Sequence, residues 1–318
     1  MVSEPVLRTK HLGKKFGKRW AVHDLNLVVR RGEVFGFLGP NGAGKSTTIR
    51  MILSLIRPST GSVDLFGKPL ARHRSEVLKR VGGLVEKADF YLYLSARRNL
   101  EIVGRLLGRT SAEEICRVLE IVGLADRADD RVKTYSHGMK QRLGIAQALL
   151  GSPELVVLDE PTSGLDPQGI KEVRELVGRL SRDQGMTIFL SSHLLHEIEQ
   201  TATSMAIINR GRLVVQGSVR DLLSDRDVKV RIEADPAERA REVVAGLPFA
   251  ADVLMEGKFI EAKLPPDRIP EVNHLLVQLG IEVRALVPKR SLEEYFLAIT
   301  EGISEVTPDD RIGEGEKA

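Results

Sequence analysis

Apolar and polar residues follow two different periods along the first two thirds of the chain. Apolar runs of strand length occur at 25–30, 33–39, 81–86, 155–160, 187–192 and 205–217. Apolar residues with helical spacing begin near Lys45, Ala96, Ser111, Ser136, Pro167 and Leu194. Strands that alternate with helices in this way predict an α/β fold with a mostly parallel sheet.

The pattern changes near residue 225, which predicts a second domain. We predict an α/β domain over 1–225, and within it a helical insertion at about 87–152, where strand signals vanish. Residues 226–301 have the order β-α-β-β-α-β-α, which indicates a small α+β domain. The tail, 302–318, is polar and contains glycine, a composition that favours disorder.

Composition narrows the class of protein. Of the 318 residues, 42% are hydrophobic and 29% are charged, which is typical of a soluble globular chain. We find no apolar run near the roughly 20 residues that span a bilayer, and no signal peptide. The one cysteine, Cys116, excludes a disulfide framework and is expected to be a small buried side chain in a cytosolic protein. A net charge of +3 is too small to indicate a nucleic-acid partner.

A glycine-rich loop follows the second apolar run and opens a helix. Residues 39–47 read GPNGAGKST, the pattern of a phosphate-binding loop, in which backbone N–H groups surround phosphate oxygens. Lys45 is expected to reach the β- and γ-phosphates, and the Ser46 hydroxyl to bind Mg²⁺. The predicted nucleotide-binding residues here are Gly39, Pro40, Asn41, Gly42, Ala43, Gly44, Lys45, Ser46 and Thr47.

Two carboxylates close the apolar run LVVL. Asp159 is expected to hold the Mg²⁺ shell, and Glu160 to polarise the water that attacks the γ-phosphate. Many strands end in charged residues without any catalytic role, so this interpretation depends on the phosphate-binding loop.

A second helix start also invites an anion. In YSHGMKQRLGIAQALL, residues 135–150, Ser136 stands at the N-cap of an amphipathic helix whose first N–H groups are free. Such a helix end attracts negative charge. A cap with no other function has the same geometry.

Five motifs in a fixed order make residues 5–225 resemble the nucleotide-binding domain of ABC transporters. They are the phosphate-binding loop, YSHGMKQR as the signature motif, DEPTSGLD as two adjoining motifs, Walker B and the D-loop, and SSH at 191–193 as the H-loop. The resemblance implies that two such domains pack head to tail around ATP. It assigns Ser136 and Gly138 to the γ-phosphate of ATP held by the other subunit, and His193 to the γ-phosphate and the attacking water. In the signature motif, His137 stands where the family usually has the first glycine.

Three further assignments come from the same resemblance. Asp166 matches an aspartate that faces the opposite subunit. Phe16 matches an aromatic residue that stacks on adenine, with Trp20 as a second candidate and a packed edge aromatic as the alternative. Glu86 stands where the family usually has a glutamine, and its carboxylate is expected to coordinate Mg²⁺ or water. The surrounding stretch, 81–100, resembles the branch of the family that confers resistance to drugs and bacteriocins.

The chain is therefore expected to be the ATP-hydrolysing subunit of an ABC-2 type exporter of a drug, peptide or lipid-like substrate, on the cytoplasmic face of the membrane. It would act as a homodimer or pseudo-dimer together with a separate permease. Phe90, Tyr91 and Tyr93 would contact the permease. Alternatively, these three side chains pack within the helical insertion. Two other functions stay open at this point. A soluble ABC ATPase acting on ribosomes or DNA usually has two cassettes or a long coiled coil, and a nucleotide sensor would lack Glu160.

Overall fold

The computed structural model describes residues 4–86, 88–108, 111–224 and 228–289, and it divides the chain into two units. The first unit ends at Val219 and the second begins at Arg220, a few residues before the boundary that we predicted at 225. The predicted helix at 291–300 and the predicted tail, 302–318, lie outside the described residues.

The first unit alternates strands and helices along most of its length. Its strands are β1 (Pro5–Phe16), β2 (Arg19–Leu25), β3 (Val28–Arg30), β4 (Val34–Leu38), β5 (Thr60–Leu65), β6 (Lys68–Pro69), β7 (Val81–Leu84), β8 (Leu155–Leu158), β9 (Thr187–Ser192), β10 (Ser204–Asn209) and β11 (Arg212–Ser218). Its helices are α1 (Lys45–Ile52), α2 (Leu70–Leu78), α3 (Ala96–Leu106), α4 (Ala112–Ile121), α5 (His137–Leu149), α6 (Pro167–Gln184) and α7 (Leu195–Thr201), and α8 (Val219–Ser224) begins at the boundary.

The central sheet has the strand order β11-β10-β4-β9-β8-β7 and is parallel except for the β10–β11 hairpin. Strands β4, β8 and β9 are buried at every position, which explains their continuous apolar runs. Phe189 lies between Phe35 and Phe37, with ring centroids 5.4 Å from each. This order brings the carboxyl ends of β4, β9 and β8 side by side at one edge of the sheet.

A second, antiparallel sheet has the order β2-β1-β5-β6, with β3 paired to β1. Residues 8–20, RTKHLGKKFGKRW, form a locally basic stretch that lies on β1 and β2, and the hairpin of these two strands carries Phe16. The pattern of apolar residues did not predict β5, β6 or α2. In β5 only Val63 and Leu65 are buried, so this strand leaves almost no periodic apolar signal.

Helices α3, α4 and α5 occupy the stretch predicted as a helical insertion. Residues 111–114, SAEE, predict a capping box at the start of α4, and its Ser111 half forms: the Ser111 hydroxyl accepts a hydrogen bond from the Glu114 N–H at 3.1 Å. The Glu114 carboxylate instead accepts a hydrogen bond from the Gly151 N–H at 2.7 Å. The expectation for Cys116 is wrong: this residue is exposed, and its Sγ lies 3.4 Å from Nη1 of Arg97. Position 116 falls on the outward face of α4, away from the buried Ile115, Val118 and Leu119.

At the amino ends of the central strands, Glu154, which immediately precedes β8, forms ion pairs with two arginines. Its carboxylate accepts hydrogen bonds from Arg80 at 2.9 Å and from Arg31 at 2.7 Å. These guanidinium groups, Arg80 first, lower the pKa of the Glu154 carboxyl from its ordinary 4.5 to about 2. A depressed pKa means that the carboxylate stabilises the fold above pH 4.5, and this contribution is lost as the pH falls toward 2.

The second unit is a four-stranded antiparallel sheet with helices packed on it. Its elements are β12 (Val228–Asp235), α9 (Ala237–Ala245), β13 (Ala251–Glu256), β14 (Phe259–Leu264), α10 (Ile269–Gln278) and β15 (Glu282–Lys289), and the strand order is β13-β14-β12-β15. Alternate residues of β12, Val230 and Ile232, are buried against Ala240, Val244 and Leu276 of the helices. Within the described part of the chain, no helix combines the length and apolar character needed to cross a membrane.

Candidate functional site

The loop between β4 and α1 is shaped for phosphate. Gly44 caps α1 in the left-handed region, with φ of 108°, and a Cβ there would lie 2.6 Å from the Ala21 carbonyl oxygen. Any other residue would be strained and would collide with the backbone. The loop therefore runs close to β2 and directs the first N–H groups of α1 toward the cleft, an arrangement that favours an anion.

Three side chains predicted to be catalytic meet at Glu160. Its Oε1 lies 3.2 Å from Nζ of Lys45, and its Oε2 lies 3.2 Å from Nδ1 of His193. Lys45 is only 5% exposed and also donates to the Gly39 carbonyl at 2.7 Å. The three residues follow β4, β8 and β9, so the strand order of the central sheet is what brings them together.

Ser191 on β9 contacts both acidic residues of the site, the carboxylate of Asp159 and the backbone of Glu160. Its hydroxyl donates to Oδ1 of Asp159 at 2.6 Å and accepts a hydrogen bond from the Glu160 N–H at 2.9 Å. Ser191 is fully buried, and the backbone of Glu160 has a φ of 45°, in the left-handed region. This hydrogen bond therefore supports an unfavourable backbone conformation at the residue that we expect to act on water.

A cleft of about 840 Å³ extends from the phosphate-binding loop to the antiparallel sheet. Phe16, Trp20 and Arg19 line its far end, while residues 40–47 and Glu160 line the near end. Phe16 is 55% exposed and so presents its ring to solvent in the cleft. The cleft thus offers an aromatic wall for a base and a glycine-rich loop for phosphates, and both aromatic candidates contribute to the wall.

A smaller cleft of about 250 Å³ adjoins the first and contains the predicted metal ligands. Ser46, Asp159 and Glu86 line it, together with Glu160. These residues fit Mg²⁺, because they offer hard oxygen donors, and Mg²⁺ is commonly held by one or two carboxylates plus substrate phosphates. No group of three or more Asp, Glu, His or Cys side chains in the described ranges is arranged to hold a metal by itself. Phosphate oxygens and water molecules would complete the shell.

The remaining predicted residues stand at two helix starts. The Ser136 hydroxyl accepts a hydrogen bond from the Met139 N–H at 3.2 Å and caps α5, as its position predicted. Asp166 caps α6 in the same way, through the Gly169 N–H at 3.0 Å. Ser136 and Asp166 are both exposed, and neither they nor Gly138 line the two clefts.

The structure adds residues that our sequence analysis missed. The sequence places Ser191 only within the SSH motif, although a serine in a buried strand needs a partner. Glu197 accepts hydrogen bonds from Thr162 at 2.8 Å and Ser192 at 2.7 Å, and it ties the loop after Glu160 to the loop that carries His193. His137, a departure from the signature motif, lines the smaller cleft.

Comparisons with known proteins find similar sequences along nearly the whole chain. The family model described as "ABC transporter" matches residues 22–163. The chain is 41% identical over 310 residues to the bacitracin transport ATP-binding protein BcrA of Bacillus licheniformis, covering 93% of this chain and 98% of that protein. It is 40% identical over 296 residues to the uncharacterized ABC transporter ATP-binding protein YhcH of Bacillus subtilis, covering 93% and 96%.

Solved structures support the fold. An ATP-binding subunit of an ABC transporter shares 31% identity and a TM-score of 0.60, covering 68% of this chain and 91% of that one. A dimeric ATP-binding cassette in a post-hydrolysis state with ADP and phosphate has the same TM-score at 23% identity, covering 67% and 99%. The predicted fold class, an α/β P-loop domain, is confirmed.

Replacing Ser191 with alanine tests whether its hydroxyl holds the Asp159 carboxylate and the backbone of Glu160 in place. Asp159 and the Glu160 N–H would each lose a buried partner, so Ser191→Ala should lower the free energy of unfolding by roughly 1–3 kcal/mol and slow phosphate release from ATP. Ser204→Ala, at the opposite end of the sheet, removes one hydroxyl bond to Glu33 and serves as the control. Denaturant unfolding and phosphate release measure both effects. Equal rates for the two variants would contradict the assignment.

Proposed function

The chain belongs to the ABC transporter family as an exporter-type ATP-binding subunit, and from that premise we propose that two copies hydrolyse ATP at a shared interface to export a peptide antibiotic or a similar amphipathic drug. The resemblance drawn from the five motifs, and the ATPase activity inferred from them, are confirmed by the family match and the relatives. Binding of ATP or ADP and action at a membrane are general to this family. The residue roles, Mg²⁺, the interface and the substrate are our proposal.

The contact of Glu160 with both Lys45 and His193 carries the assignment of roles. A γ-phosphate that enters the loop attracts Lys45 through its charge, which releases Oε1 of Glu160. Glu160 can then accept a proton from a water molecule that His193 helps to orient from the other side. Ser191 keeps Asp159 and Glu160 oriented throughout. Hydrolysis in this scheme needs no covalent intermediate, only positioning and charge.

Ser46, Asp159 and Glu86 would hold Mg²⁺, as the donor set of the smaller cleft supports. Bound there, Mg²⁺ would neutralise charge on the β- and γ-phosphates. Phe16 would stack on the adenine, with Trp20 beside it in the same wall.

The start of α5 supports the dimer. Ser136 and Gly138 open this helix of 13 residues, and its first N–H groups favour an anion. Two copies packed head to tail would bring this end to the γ-phosphate bound by the partner, and Asp166 would lie at the same interface. ATP would then be held between two helix N-termini, and loss of its γ-phosphate would weaken the dimer.

An exposed patch of two tyrosines and a leucine, Tyr91, Leu92 and Tyr93, supports the contact with a permease on the cytoplasmic face. Their exposed fractions are 64%, 44% and 77%, while Phe90 is half-buried. Aromatic residues that stand out in this way are common anchors of protein interfaces. The patch follows Glu86 closely along the chain, so a permease bound there would sense changes at the smaller cleft.

The substrate class is proposed from the relatives alone. One of them is named for bacitracin transport, and its similarity extends over nearly the whole of both chains. The membrane subunit would choose the molecule, and this chain would supply the energy.

Substitution of Glu160 by glutamine tests the proposed base. The amide keeps the shape but cannot accept the proton, so the hydrolysis rate should fall at least about 100-fold while ATP affinity is retained. Lys45→Ala should instead weaken ATP binding itself. Single-turnover phosphate release and equilibrium binding of a fluorescent ATP analogue separate the two effects. Wild-type turnover by Glu160→Gln would refute the role of this carboxylate.

Substitution of both Tyr91 and Tyr93 by serine tests the docking patch. The fraction of the protein that sediments with membranes of its source cells should fall several-fold, because the aromatic anchors are lost. ATP hydrolysis by the isolated protein should be unchanged. Leu106→Ser, at a residue that is 84% exposed at the end of α3, is the control for loss of an apolar side chain. Undiminished sedimentation of the tyrosine variant would argue against the patch.

A further inference from the structure

Arg50 on α1 forms an ion pair with Glu86, and nothing in the proposed hydrolysis accounts for it. Nη2 of Arg50 donates to Oε1 of Glu86, which lies two residues beyond β7 with a φ of 62°. Both side chains are partly exposed, at 40% and 64%. Exposed ion pairs of this kind add at most about 1 kcal/mol to stability. Stabilising the fold is therefore a weak reason for this contact.

The charges around the smaller cleft give a better reason. Three carboxylates line it, those of Asp159, Glu160 and Glu86. Glu160 contacts Lys45 and His193, and Asp159 accepts a hydrogen bond from Ser191. Glu86 is paired with Arg50. Each carboxylate thus has a partner of its own, which matters in a site that must admit a polyphosphate.

A glutamine at position 86 would carry no charge and would need no cation. A carboxylate there adds a negative charge to the cleft that Ser46 also lines, where the phosphates are to bind. At an effective dielectric constant of about 20, two like charges about 8 Å apart repel strongly enough to change affinity several-fold. Salt and partial exposure reduce this effect without removing it.

We propose that Arg50 is a positioning residue that compensates the charge of Glu86 and draws its carboxylate toward α1. This rests on the proposed function, because it assumes that ATP phosphates enter the cleft. Without Arg50, the carboxylate of Glu86 would be uncompensated and free to turn further into the cleft, toward Asp159. The cleft would then repel a polyphosphate more strongly and hold a bare divalent cation more tightly.

The two opposite effects make a test that general damage to the fold cannot imitate. Arg50→Gln should weaken binding of a fluorescent ATP analogue in EDTA roughly three- to tenfold. The same variant should bind Mn²⁺ without nucleotide more tightly, by a similar factor, in paramagnetic resonance titrations. Arg50→Lys keeps the positive charge and should restore both affinities toward wild type.

The same substitution made in a Glu86→Gln protein shows whether the effect of Arg50 depends on the carboxylate at position 86. In a Glu86→Gln protein, Arg50→Gln should change both affinities clearly less, because only the through-space charge of Arg50 is lost and no carboxylate is left to turn into the cleft. Arg117→Gln is the matched control, since it breaks a contact with Glu114, which does not line either cleft. Thermal unfolding should show less than a few degrees of change for Arg50→Gln, as expected for an exposed pair.

The outcomes separate this inference from the proposed function. The role of Arg50 would be overturned if Arg50→Gln had equal effects in the wild-type and Glu86→Gln backgrounds, or no effect in either. In that case, binding of the analogue by the wild-type protein would still support the proposed function. If wild type and Lys45→Ala bind the analogue equally weakly, the proposed function itself fails.

Discussion

The site depends on the position of one carboxylate, that of Glu160, between the cation Lys45 and the imidazole of His193, each 3.2 Å away. The carboxylate follows β8, the lysine follows β4 and the histidine follows β9. A parallel sheet with β9 between β4 and β8 places these three chain segments side by side at one end of the strands. The buried apolar strands therefore determine the geometry of the charges, and the burial that stabilises the fold also arranges the chemistry.

Polar contacts beneath the surface make this arrangement rigid. Ser191 joins Asp159 to the backbone of Glu160 in a fully buried position, and Glu197 joins the two loops that follow β8 and β9. At the smaller cleft, Arg50 accompanies Glu86. Donors and cations thus accompany each acidic residue that the nucleotide would meet, which lets a site rich in carboxylates accept a polyanion.

Much of the fold could be predicted because its strongest signals are local. Continuous apolar runs predicted β4, β8 and β9. A glycine-rich sequence predicted the start of α1, and N-cap serines predicted the starts of α4 and α5. Elements with few buried residues, such as β5 and α2, left no such pattern. The partners of Ser191, Glu197 and Arg50 depend on contacts between residues distant in sequence, which no local pattern encodes. Cys116 was misplaced because its side of α4 could not be fixed from spacing alone.

We propose that ATP joins two copies of this chain through the start of α5. The molar mass of the Glu160→Gln protein, measured by light scattering with and without saturating Mg-ATP, tests this dimer. We expect the mass of one chain, 35.1 kDa, without nucleotide and twice that mass with it, returning to a single chain when Ser136 is also replaced by arginine. A protein that stays at the mass of one chain with ATP bound would refute the proposed dimer.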